Sequence, residues 1–248
     1  MADFAEELVR RMNDAARDLS SPVVRPKDAA TLILVDRSST EPKVLLGRRH
    51  ANHKFMPGKF VFPGGRVEPV DRKMAGATHL DPHVEERLMR VVQRPNPRRA
   101  RALVLAAIRE TFEETGLLLG SKLESAPAAP PGPWTAFAEA NIHPDLSTVH
   151  FIARAVTPPR RKRRYDTRFF TADVSAIAHK IEGKVGPDAE LIELAWLPLD
   201  GIKEKIELLA ITEIVLNDLH KQIAAGFSHD LPVPFYRVLH GKRVRELL

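Results

Sequence analysis

The sequence predicts an α+β fold, an α/β/α sandwich with a mixed sheet, and two observations carry this. Strand-like and helical segments follow one another without strict alternation, which points to α+β or to a sandwich rather than a purely parallel sheet. The 248 residues are 44% hydrophobic and 28% charged, ordinary for a folded domain long enough to bury a substantial core.

The elements follow in order. Residues 3–19 place Phe4, Leu8, Met12 and Leu19 at helical spacing and predict an amphipathic helix. Residues 29–35, Ala-Ala-Thr-Leu-Ile-Leu-Val, are β-rich and apolar and predict a buried strand. After a turn cluster at 36–42, Val44-Leu45-Leu46 predicts a second strand antiparallel to the first. A basic loop over 48–59 leads to the short strand 60–62, which runs into Pro63-Gly64-Gly65. Residues 72–100 are charged, carry three prolines and show only a helix at about 83–93; they look inserted. Their role is open between a lid, a dimer contact and surface decoration.

Asn96-Pro97 is a good helix start, because Asn caps free amides and Pro is preset for the first helical position. The helix then runs from about 98 to 115, with Gly116 placed to end it in the left-handed conformation. Residues 117–119 resume extended structure, and 124–133 are too rich in Pro for anything but loop. Strands are expected at 150–156, 165–174 and 190–197, helix over 199–225, and then a short irregular tail. The chain reads as one domain over 1–248, with a core at about 28–200, an insertion at about 72–100 and a helical C-terminal segment at about 199–225.

With no Cys, the chain forms no disulfide, thiolate zinc site or cysteine nucleophile. Any metal must sit on carboxylates, carbonyls or His. His50, His53, His79 and His83 are spread over a loop and the insertion and do not suggest a closed zinc site. No stretch reaches the roughly 20 apolar residues of a membrane span, the N-terminus lacks a signal-like apolar run, and a cytoplasmic location is expected. The formal charge of +6 fits an anionic partner, and fits plain solubility charge equally well.

The most informative segment is Arg109-Glu110-Thr111-Phe112-Glu113-Glu114-Thr115-Gly116. Residues three and four apart share a helix face, so Glu110, Glu113 and Glu114 gather at the helix's C-terminal end. That end already carries about half a negative charge, and three carboxylates there repel it and one another. A hard divalent cation reverses the sign of each of these interactions, since Mg²⁺ takes oxygen ligands beside substrate phosphates. The alternative is a solvated acidic helix end neutralised by Arg109. The double glycine of Phe62-Pro63-Gly64-Gly65, where backbone can approach a ligand closely, makes the conjunction specific.

Together these residues resemble the Nudix hydrolase family. Its box has Gly, five residues, Glu, seven residues, then Arg-Glu-aliphatic-x-Glu-Glu-x-Gly-aliphatic. Arg109 to Leu117 matches the second half, with Thr111 in place of an aliphatic residue. Gly65 matches the start, and Asp71 stands where the family has Glu. Asp71 and Arg109 are 38 positions apart, so the box is interrupted by about thirty residues. This is similar to the subgroup with a long insertion inside the box, coenzyme A diphosphatases among them; the segments 55–58, 61–65 and 164–170 share that likeness.

The resemblance implies the following roles. Glu110, Glu113 and Glu114 bind Mg²⁺ or Mn²⁺ with the Gly65 carbonyl, and Arg109 holds the glutamates. A later acid serves as ligand or base: Glu190 and Glu193 are both candidates, Glu193 having the better spacing to Trp196. The identity of the base is open among Glu110, Glu190 and Glu193.

The expected substrate is a nucleoside diphosphate derivative of coenzyme A type, cleaved to 3′,5′-ADP and a phosphopantetheine. Leu45, Leu46, Arg49, Lys54, Gly58 and Phe62 match the subgroup's upstream motif, whereas His50, Phe60 and Val61 depart from it. Arg163 and Arg164, in the five-base run 160–164, complete the expected substrate contacts with Arg49 and Lys54. The alternatives are ADP-ribose or another nucleoside diphosphate, and a non-catalytic module binding RNA through the basic turn; a nucleic-acid partner is not the expectation. Trp196 and Phe112 are read as core.

Overall fold

The structure is a computed structural model describing residues 22–52 and 57–248. The helix expected at 3–19 lies outside the described residues, as do His53 and Lys54.

The strands are β1 (Lys27–Asp36), β2 (Lys43–Arg49), β3 (Phe60–Val61), β4 (Gly64–Arg66), β5 (Leu117–Leu119), β6 (Ser121–Lys122), β7 (Ile142–His143), β8 (His150–Val156), β9 (Tyr165–Asp173), β10 (Ile177–Lys180), β11 (Leu191–Pro198), β12 (Pro234–Leu239) and β13 (Lys242–Leu247). The helices are α1 (Pro82–Met89), α2 (Pro97–Thr115), α3 (Thr135–Glu139), α4 (Ile202–Lys205) and α5 (Ala210–Ala224). A nine-stranded sheet has the order β11-β2-β1-β9-β8-β12-β13, with β3 on β2 and β4 on β1. The pairs β1–β9 and β8–β12 are parallel and the other pairs antiparallel, so the sheet is mixed as expected.

Alternation along each strand splits the core in two. Ala30, Leu32, Leu34, Leu45 and Phe170 face α2, while Ile33, Val35, Val44 and Leu46 face α5. Helices on both faces of one sheet make the predicted sandwich. Helix α2 forms where the signals placed it. The Asn96 side chain accepts from the Arg98 N–H at 2.8 Å, and Gly116 ends the helix at φ 79°.

The insertion is not surface decoration. Met74, Leu80, Val84 and Leu88 are buried in the same core cluster as Leu103 and Ile108 of α2. Its charged composition hides this, because four apolar residues at wide spacing leave no sustained period. The C-terminal expectations also need correction. The stretch 199–225 is two helices, with Ile206 and Leu209 in extended conformation between them. Ile206 and Leu208 pack against the α5-side core there, and packing overrides helix propensity. The tail is a hairpin, β12–β13, which adds two strands to the main sheet through β8. His240 and Gly241 turn it, both at positive φ (47° and 79°), as a two-residue hairpin turn requires. Trp196 is exposed rather than core, because β11 is an edge strand. Phe112 is core, edge-on to Phe137.

At the start of β8, His150 stacks on His229, ring centroids 4.1 Å apart and planes 10° from parallel. Burial, then the neighbouring His229 and Arg37, push its imidazole down from 6.5 to about 4. Below pH 6.5 the unfolded chain therefore takes up a proton that the folded chain resists. The stability tied to neutral His150 is full above that pH and is lost as pH falls toward about 4. Discounted for partial exposure, the loss is on the order of 1–2 kcal/mol. Urea unfolding followed between pH 7.5 and 4.5 should show this slope, and His150→Phe should flatten it. An unchanged slope in the variant would remove His150 as its source.

Candidate active site

The site forms where the C-terminal end of α2 meets the turn between β3 and β4. Gly64 and Gly65 pair with Thr31 and Ala30 of β1, and this brings their backbone under the helix. A Cβ on Gly65 would run into the Glu110 carboxylate, and one on Gly64 would lie 2.7 Å from the Ala30 carbonyl oxygen. Gly64 is confined by backbone, whereas a side chain at 65 would have to displace the Glu110 carboxylate.

Arg109 organises the acids. Its side chain is almost completely buried and reaches four partners. Nε donates to Asp71 Oδ1 at 2.7 Å, and one terminal nitrogen donates to Asp71 Oδ2 at 3.1 Å and to the Arg66 carbonyl at 2.8 Å. The other donates to Glu110 Oε1 at 2.9 Å and to Glu113. Burial alone would lower the guanidinium's pKa, but the bonds and charges of Asp71, Glu110 and Glu113 raise it overall. Asp71 is wholly inaccessible. It also accepts from the Glu68 N–H at 2.7 Å and from Trp134 Nε1 at 3.3 Å. The interrupted motif therefore closes in space: Asp71 and Arg109, 38 positions apart, form a buried bidentate pair.

Trp134 is a site-supporting residue that sequence reading missed. It lies at the end of a Pro-rich loop, and nothing local ties it to Asp71. Its ring is fully buried and packs on Phe137, centroids 4.9 Å apart. Trp134→Phe should lower stability by about 2–3 kcal/mol, through a part-vacated core and the loss of one donor to Asp71. Denaturant titration measures this, and a change under about 0.5 kcal/mol would deny the ring both roles.

The glutamates differ in setting. Burial raises the Glu110 carboxyl to about 7, against the pull of Arg109 and with help from Glu113 and Asp71. Glu114 is raised well above the ordinary range by burial, then by repulsion from Glu190 and Glu110. Arg49 and the Gly64 N–H offset this only in part. Glu114 Oε2 is buried with no hydrogen-bond partner. Thr111, where an aliphatic residue was expected, is accommodated because its hydroxyl donates to the Ala107 carbonyl at 2.8 Å.

These groups fit a hard divalent cation. Clustered carboxylates whose charged form is disfavoured without a cation, one orphaned carboxylate oxygen and a glycine backbone against Glu110 are oxygen donors short of positive charge. Among the described residues, no three Asp, Glu or His side chains already stand as a ready-made metal cage, and Arg109 engages Glu110 and Glu113.

The remaining expected residues divide. Arg49 is at the site, with a guanidinium nitrogen 3.1 Å from Glu190 Oε1. Glu190 also faces Glu114, so it is the late acid that joins the cluster. Glu193 does not join it. It pairs across the strands with Arg48, at 2.9 Å for both bonds. Arg48 shares the α5 face with Leu46, while Arg49 shares the α2 face with Leu45. Glu190 lies just before β11, whereas Glu193 lies within it, opposite Arg48. Arg163 and Arg164 are not brought to the glutamates either. They sit in the β8–β9 turn, where Arg164 donates to the Thr157 and Val24 carbonyls. That turn meets β1 at Lys27. Next to Lys27, Asp28 is bound by Arg99 near the start of α2, about 16 Å along the helix from Glu110. The neighbouring segment holding Lys54 is outside the described residues.

No protein-family model matches the chain. Among solved structures, a NUDIX hydrolase from Alicyclobacillus acidocaldarius is similar, with TM-score 0.57 and 28% identity over 78% of this chain and 90% of that one. The NUDIX domain of Shewanella oneidensis NrtR, solved with ADP ribose, gives TM-score 0.45 and 15% identity over 81% and 90% of the two chains. A MutT protein from Methanosarcina mazei Go1 gives 0.44 and 16% over 83% and 99%. The first of these, with the sandwich and its mixed sheet, shows that the chain has the fold of the Nudix hydrolases.

Proposed function

We propose that this chain is a Nudix diphosphatase dependent on Mg²⁺ or Mn²⁺, and that its substrates are coenzyme A and acyl-coenzyme A, cleaved to 3′,5′-ADP and a phosphopantetheine. The observation that carries the reading is the buried Asp71–Arg109 pair. It restores an interrupted box and holds Glu110 and Glu113 beside Glu114 and the double-glycine turn.

Glu110, Glu113, Glu114 and the Gly65 carbonyl would hold the cation. When bound, it would neutralise phosphate oxygens and acidify a water molecule. Arg109 restrains Glu110 and Glu113, so the acids are oriented before substrate arrives, and in phosphoryl transfer such positioning does much of the work. Glu110 or Glu190 would accept the proton of the attacking water, since Glu193 pairs with Arg48 instead. Arg49, whose charge reaches Glu114, would meet a phosphate of the substrate.

The coenzyme A class is favoured by the interrupted box and the upstream residues Leu45, Leu46, Arg49, Gly58 and Phe62. A panel of coenzyme A, acyl-coenzyme A, ADP-ribose and dinucleotide polyphosphates, assayed with each cation and read by product mass, tests it. Ten-fold faster cleavage of ADP-ribose than of coenzyme A would reassign the substrate. No turnover of any diphosphate would remove the activity.

A further inference from the structure

A second concavity lies on the opposite face of the sheet from the glutamates. It is a cleft of about 210 Å³ between the first turn of α5 and strands β8, β9, β12 and β13. Its walls are Ala155, Phe169, Ile211, Ile214, Tyr236 and Val238. Phe169, Ile214 and Tyr236 belong to the α5-side core, so the cleft is an open end of that core.

The charged residues of the cleft's lining are two arginines, Arg237 and Arg243. Pro158, on its wall, begins the β8–β9 turn, whose Arg161, Lys162 and Arg163 are exposed. Arg243 lines the cleft on the hairpin side, paired across the strands with Val238. Asp218 is buried and takes a hydrogen bond from the Tyr236 hydroxyl at 2.7 Å, and Glu213 lies in the first turn of α5. Glu246 pairs with Arg237 and shares its side of the hairpin with Phe235 of the α2-side core.

An apolar slot lined by Arg243, with an exposed basic turn continuing from Pro158 on its wall, suits one ligand chemistry, an aliphatic chain ending in an anion. The chain is removed from water against Phe169 and Ile211, and the head group meets the basic turn. The five-base run, which the glutamate site does not use, thereby has a partner.

We propose that this cleft binds a soluble single-chain aliphatic carboxylate, with its methylenes between α5 and the sheet and its head group at Arg161, Lys162 and Arg243. The site is independent of the diphosphatase reading. The test is calorimetric titration of the full chain with decanoate, against decanol and against vesicles of anionic phospholipid. Saturable one-to-one binding of decanoate is expected, at least ten-fold tighter than decanol and weakened by salt. Ile211→Asp, which puts a carboxylate in the slot, should weaken it ten-fold or more. So should Arg161→Glu with Lys162→Glu, two exposed changes that spare the core should the first variant fail to fold. Decanol binding as tightly as decanoate overturns the proposal, as does the absence of saturable decanoate binding below its micelle concentration. Vesicle binding without decanoate binding also overturns it, and makes the face a membrane surface.

Discussion

Glu114→Gln should abolish diphosphate hydrolysis, by about a thousand-fold or more, while leaving the protein at least as stable as before. The two effects have one cause. Glu114 is buried, faces Glu110 and Glu190, and has one oxygen without a partner. Its charged form is costly in the absence of a cation. Gln keeps the shape and still accepts from the Gly64 N–H, but it removes the charge. The cation-free protein is therefore relieved of a repulsion, and calorimetry should show an unchanged or slightly raised Tm. Added Mg²⁺ or Mn²⁺ should raise the Tm of the unsubstituted chain, since a ligand that binds only the folded state stabilises it. It should do much less for the variant. Full turnover in Glu114→Gln would refute the assignment of this carboxylate, whatever the Tm.

The second large effect concerns stability. Asp71→Ala should cost about 3–5 kcal/mol, because it leaves a buried guanidinium without its bidentate partner. The Glu68 N–H and the Trp134 indole lose their acceptor in the same step. For a domain of this length that is a fall in Tm on the order of 10 °C. Asp71→Glu keeps the charge but must fit another methylene into a closed space, and should cost less, about 1–3 kcal/mol. Thermal and urea unfolding of both variants measure the difference. A loss below about 1 kcal/mol in Asp71→Ala would mean that the pair does not hold the box together.

The two predictions separate what the acids do. Glu114 answers to the ligand, Asp71 to Arg109 and the fold. Sequence reading placed both, yet it ranked only Glu114 as a functional residue. Asp71 fell at the right distance from Gly65, but its partner lay beyond a charged excursion of some thirty residues. Only the burial of Met74, Leu80, Val84 and Leu88 shows why that excursion leaves the two ends together. It is stitched into the core that α2 covers.

What the sequence by itself determined is local. Asn96, Pro97 and Gly116 bound the helix. The 3.6-residue period puts Glu110, Glu113 and Glu114 at one end of it, and two successive glycines mark a close approach of backbone. Each of these signals depends on neighbours within a few positions, where chain geometry leaves little choice. The tertiary structure decided matters of pairing. The pairing of β11 with β2 set Glu193 opposite Arg48 and left Glu190 against Arg49 and Glu114. Trp134 reached Asp71 across 63 positions. Arg164 was committed to backbone carbonyls of its own turn and of Val24. The last residues found a free edge at β8 and became strands. Such contacts depend on which surfaces meet after the core closes, and that follows from packing the whole chain.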